Sequence, residues 1–193
     1  MIVTERTQIP DAALPVDAFK AHLRLGRGFA ANSLQDALLI GFLRASLAAI
    51  EAKISKVLLQ RDFSITLSAW RDGAREPLPL TPVTEITALT LIDDEGRETT
   101  ATRFHLQQDA QKPMLIAHGA CLPSVPRNGL VRIDLSAGLA AEFDALPGDL
   151  SQAVLQLAAY FYEHRDASFH PRFPYGVEAL IARHRVLRLG AQT

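Results

Sequence analysis

His105, His118 and Cys121 are of the types that hold zinc, and His118 and Cys121 stand close enough in sequence to supply two ligands. A closed zinc site needs four, and no second Cys or His pair completes the set. The other reading of Cys121 is a small buried hydrophobe. His164, His170 and His184 are spread over a helix end, a loop and the last stretch of the chain. A histidine near a helix C-terminus is welcome there for its positive charge, without any ligand role. Glu163 and Asp166 could be offered as paired carboxylates for acid–base work, but His164 and Arg165 lie between them. That sequence reads as a solvated ion cluster closing a helix. Trp70 and Phe63 share a segment without basic interleaving, which favours packing over a stacking platform for single strands. No glycine-rich run precedes a lysine, no G-x-G-x-x-G follows a strand, and G-x-S-x-G is missing. The reading of these residues is therefore no cofactor, no metal and no catalytic residue.

The totals set the frame. At 193 residues the chain suits one domain, or one domain with an elaborated insertion. With 48% apolar and 21% charged residues its balance is that of a globular protein. A net charge of -1 gives no overall electrostatic case for nucleic acid. Charge is uneven along the chain, however. From Arg172 onward four arginines stand against one glutamate, whereas Arg61 to Lys112 carries more acids than bases. One cysteine allows no intrachain disulfide, and there is neither a signal-like leader nor an apolar run of bilayer length. These features predict a protein that is intracellular or assembled inside a cell, without a membrane partner.

The elements follow from periodicity. Met1 to Leu14 has no sustained period and reads as an extended N-terminal arm. Pro15 opens a short helix, VDAFKAHLRL, stopped by Gly26 and Gly28. Asn32 and Ser33 are good N-caps for a helix running to about Leu59. Leu39, Leu43, Leu47, Ile50, Ile54 and Val57 fall on one face of it; Leu38, Phe42, Ala45, Ala49 and Ala52 fall on a second. A strip with Arg44, Glu51 and Ser55 is left for water. From Gln60 the period becomes two, with Phe63, Ile65, Leu67 and Ala69 alternating with polar residues up to Trp70. Asp72-Gly73 makes a turn, and Pro77, Pro79 and Pro82 exclude a central strand. Val83 to Ile92 turns through Asp93-Asp94-Glu95-Gly96 into Arg97 to Leu106 as a hairpin. Met114 to Ala117 and Leu130 to Leu135 are two further strands. A last helix begins near Asp149, whose spacing to Gln152 is that of a capping box, and ends at Glu163 to Asp166. Leu150, Ala153, Val154, Leu157, Ala158 and Phe161 line one face, and Leu155, Ala159 and Tyr162 a second. Two helices apolar on more than one side need cover from their own domain or from a neighbouring subunit. The predicted fold is α+β: a small helical bundle with an inserted antiparallel β-sheet block. Residues 15–193 form one domain, helical over 15–59 and 147–185, with the insertion at 60–136 and a basic tail at 183–193.

Several of these segments, taken in order, resemble the phage head–tail connector (adaptor) proteins. Leu14-Pro15 followed by His22-Leu23-Arg24 is similar to the start of that family's first helix. The strand ending at Trp70 and PLPLTPVTEITALTLIDDEG look like its inserted sheet. Ala137-Gly138, Leu146-Pro147, Gln152-Ala153 and Tyr162-Glu163-His164-Arg165 resemble its most recognisable segment, and PYGVEALIARHRVLRLG its closing element. The likeness runs from Leu14 to Gly190 and is greatest to the adaptors of tailed phages and of alphaproteobacterial gene transfer agents. The loop Phe169 to Tyr175, long and aromatic, departs from the pattern.

The resemblance implies a structural virion protein in the neck of a particle assembled in the bacterial cytoplasm. It would form a homo-oligomeric ring of about twelve subunits beneath the portal protein. A stopper or tail-terminator protein would build on it, and double-stranded DNA would pass through the lumen without sequence-specific binding. Leu39, Phe42, Leu43, Leu47, Tyr160 and Tyr162 are the subunit-interface candidates. The tail is the portal-contact candidate: Arg183, Arg185 and Arg188 would meet acids while Val186, Leu187 and Leu189 fill grooves. Two rival classes compete with this reading. One is a nucleic-acid-binding module using Arg183 to Arg188 on phosphates, with steep salt dependence. The other is a small enzyme with Cys121 as nucleophile.

Overall fold

A computed structural model describes residues 1–24, 33–164 and 173–185. The chain divides into two compact units, each built from two separate stretches. One comprises Met1–Ile9 and Leu59–Ala141, the other Pro10–Leu58 and Glu142–Thr193. The mixed α+β class expected from periodicity is what is found.

The first unit is β. Its larger sheet has the order β1-β2-β8-β4-β5, all antiparallel, where β1 is Ile2–Glu5, β2 Arg61–Leu67, β4 Val83–Ile92, β5 Glu98–Thr100 and β8 Leu130–Ala137. The registers Phe63↔Leu135, Ile65↔Ile133 and Leu67↔Val131 put matched apolar residues on one face, and Leu89 joins Ile133 from the other side. Ile65, Leu89 and Ile133 are fully buried, as period-two patterning requires. The expected arm at the start of the chain contains β1, an edge strand on β2.

The second sheet has the order β3-β7-β6, with β3 at Arg75–Pro77, β6 at Phe104–Gln107 and β7 at Met114–Ala117. Pro77 accordingly lies on an edge strand, where its missing N–H costs no ladder bond. The predicted hairpin is corrected here. Its turn forms as read, with the Asp93 carboxylate accepting from the N–H groups of Glu95 and Arg97. Only Glu98–Thr100 pairs with β4, however. Residues 104–107, expected to continue that strand, pair with β7 in the other sheet, so the insertion holds two sheets instead of one block. Polar Thr102-Arg103 interrupts the second arm and lets the chain leave the ladder.

The second unit is helical, with α1 at Val16–His22, α2 at Ser33–Ile54, α3 at Gly148–Glu163 and α4 at Tyr175–Ile181. Helix α3 packs against the other three. Its residues Leu150, Ala153, Val154, Leu157, Ala158 and Ala159 are buried, which covers most of its first apolar stripe within the subunit, whereas Leu155, Phe161 and Tyr162 are half-buried. Helix α1 ends at His22, before Gly26 and Gly28, which lie outside the described residues along with Asn32. Helix α2 stops at Ile54 rather than near Leu59. Ser55 adopts a left-handed φ of 58°, and the Leu58 N–H turns to the Glu51 carboxylate at 2.7 Å. Val57, Leu58 and Leu59 stay buried, but as connecting chain. The capping box is also corrected: Pro147 holds the N-cap position without a side-chain bond, and Asp149 lies inside the first turn, where its Oδ1 accepts from the adjacent Leu150 N–H at 3.0 Å.

Candidate functional site

The residues first singled out for chemistry do not converge. His105 and His118 lie 5.0 Å apart between ring centroids, yet no group of three metal-ligating side chains occurs among the described residues. Cys121 is exposed, against the expectation of a buried hydrophobe. It lines an open cleft of about 510 Å³ with Thr100, Arg103 and Leu122, and no histidine or carboxylate in that lining could take its proton. Glu163 and His164 are exposed at the end of α3, where the His164 ring stacks on Tyr160 at 4.3 Å; Arg165, Asp166 and His170 lie outside the described residues. Trp70 is half-buried and donates its indole N–H to the Pro123 carbonyl at 2.7 Å.

Helix α2 carries the surface of interest. Leu39, Leu43 and Leu47 are 1%, 0% and 1% exposed, so they belong to the subunit's own core. A side chain so enclosed has no surface to offer a neighbour. Phe42, Tyr160 and Tyr162 are half-buried, and Phe42 meets Tyr162 edge-to-face at 5.9 Å. The strip expected to face water is displaced. Arg44 donates to Asp11 at 2.7 Å and Glu51 accepts from Leu58, because long polar side chains can reach partners on flanking turns. Beside Ala37 and Lys53, α2 exposes Leu38, Gly41, Ala45, Ala48 and Ala52, the last five spaced by three and four residues in alternation. That spacing makes a straight seam along four turns of helix. A Cβ at Gly41 would meet nothing within 4 Å, so the seam is open as well as apolar. Reading the helix as two apolar faces missed this distinction, although the run of small residues at heptad spacing was there to be seen.

The basic end of the chain is described only as far as Arg185; Val186, Leu187, Arg188 and Leu189 lie outside the described residues. Arg185 is exposed. Arg183 and His184 are engaged within the chain, by Asp149 at the start of α3. Its Oδ2 lies 2.6 Å from Arg183 Nε and 2.6 Å from His184 Nε2. Burial raises the pKa of Asp149, but hydrogen bonds from His184 and Arg183 outweigh it and leave the carboxyl below its ordinary value. Sequence spacing gave Asp149 a local capping role. Its Oδ1 does accept locally, from the Leu150 N–H at 3.0 Å, but its Oδ2 meets His184, 35 residues further on, and the adjoining Arg183, a pairing that spacing does not encode.

Comparison with protein-family models and with curated proteins returns no match. Comparison with solved structures does. A chain from the neck of an empty gene transfer agent particle, computed with C6 symmetry, is 45% identical with a TM-score of 0.91. One from the neck of a native particle, computed with C12 symmetry, is 42% identical with a TM-score of 0.86. A third, from the virion of a native gene transfer agent particle, is 46% identical with a TM-score of 0.88. In each case the alignment covers 100% of this chain and 99% of the other. Likeness of that extent, on a fold whose open surface is a helix seam, defines a structural subunit of a virus-like particle. More narrowly, the chain belongs to the head–tail connector (adaptor) family of gene transfer agents.

Proposed function

We propose that the protein acts as an adaptor: copies close into a ring under the portal and join the DNA-filled head to the tail. The observation that carries this reading is its full-length likeness to a neck chain solved with C12 symmetry. A rotational ring needs a heterologous contact, repeated and self-closing, of about 1,000 Å² or more. The α2 seam suits such a contact, since small side chains let a second helix approach to about 8 Å. Phe42, Tyr160 and Tyr162 are proposed as its aromatic flank. Leu39, Leu43 and Leu47 would act from inside, by holding α2 in place.

The portal above and a stopper or tail-terminator below are the proposed partners, with double-stranded DNA passing through the lumen and not read for sequence. The C-terminal segment is the proposed portal contact, with Arg185 and Arg188 meeting acids and Val186, Leu187 and Leu189 filling grooves. The role is structural and calls for no catalytic group or cofactor. Among the described residues no helix is long and apolar enough to cross a membrane. Electron microscopy of particles made with and without this gene tests the proposal. Filled heads lacking tails are expected without it; normal tailed particles would falsify the adaptor role.

A further inference from the structure

The last described turn of the chain is tied to the first turn of α3. Asp149 Oδ2 accepts from Arg183 Nε and faces His184 Nε2, each at 2.6 Å. The Asp149 and His184 side chains are 15% and 16% exposed, whereas Arg183 is 71% exposed. Both contacts are short and involve a carboxylate, and the one between Asp149 and His184 is held largely out of water, the kind that orders a segment. Helix α4 has need of them. It is seven residues long, with Val177 and Ile181 as its buried side chains. So short a helix does not hold itself. The tie falls where residues 182–184 make a 3-10 turn, just before Arg185 becomes extended.

We propose that Asp149 is a positioning residue that holds the turn at 182–184 and so fixes the place of Arg185, from which the C-terminal segment continues. Through this lock it presents the C-terminal segment to the partner on which that segment docks. The lock is a property of this chain alone; its use in docking rests on the adaptor reading. Arg183 is thereby reassigned from portal contact to lock, and the contact with the partner begins at Arg185.

The test uses the 193-residue protein carrying Asp149→Asn, followed by hydrogen–deuterium exchange and by binding to heads made without this gene. Exchange across 177–185 should quicken by roughly tenfold, with β2 and β8 unchanged and head binding weakened. Unaltered exchange across 177–185 overturns the lock. Faster exchange with undiminished binding overturns its part in docking. Should Asp149→Asn fail to fold, His184→Gln removes one of the two contacts, and unaltered exchange in that variant also counts against the lock. If the wild-type protein itself does not bind such heads, the adaptor reading falls, and the lock is judged on exchange.

Discussion

Asp149 stands where a carboxylate commonly caps a helix, yet it answers to a guanidinium and an imidazole from beyond α4. Burial alone would raise its pKa; the hydrogen bonds of His184 and Arg183 bring it below 3.8. A folded pKa below the unfolded one means stability that is present above about pH 4 and lost as pH falls through the folded value. The thermal midpoint of wild type should therefore exceed that of Asp149→Asn near pH 5, and the gap should close in stronger acid. A gap that persists unchanged to pH 2 would assign the difference to shape instead of charge. A similar sign applies on the surface, where Arg132 donates both Nη atoms to Glu98 at 3.0 Å and holds that carboxyl low. There the pair is open to salt and water, and Glu98→Gln should leave the midpoint unmoved within error.

Two elements explain what the sequence could and could not disclose. Gly138 follows β8 at a φ of 153°, and a Cβ there would collide with the backbone of Leu59 and Gln60. Gly138→Ala is expected to cost about 3 kcal/mol or more, read from chemical denaturation, since backbone on backbone cannot yield as a flexible side chain would. Ala137-Gly138 was visible as a motif, but the strand that crowds it was not. Helix α2 teaches the converse lesson. Its apolar positions were all legible from the 3.6 period, and Leu43, at 0% exposure, should cost about 2–5 kcal/mol on truncation to Ala. Which apolar face belongs to the core depends on where α1 and α3 lie, and that is tertiary information. The same holds for β5 and β6, read as one strand because period two is blind to which ladder a residue joins. Asp149 was legible as a residue type and place, while its partners required the fold.

At the scale of the molecule, the proposed role of the exposed seam in assembly can be tested apart from folding. Ala45→Glu with Ala48→Glu should leave the subunit's circular dichroism and midpoint intact, because both positions are exposed, while abolishing rings on native mass spectrometry. Rings that survive both charges would remove α2 from the interface. Leu187→Asp with Leu189→Asp should release the protein from heads without unfolding it, and retained attachment would count against the C-terminal contact. The chain also passes between its two units three times, after Ile9, Leu58 and Ala141. During synthesis, therefore, neither unit can finish while the ribosome is still early in the message. The larger sheet waits for β8, its central strand, and the helical unit waits for α3. A product terminated before β8 carries neither a finished sheet nor a finished bundle, and so has no competent half with which to poison a growing ring.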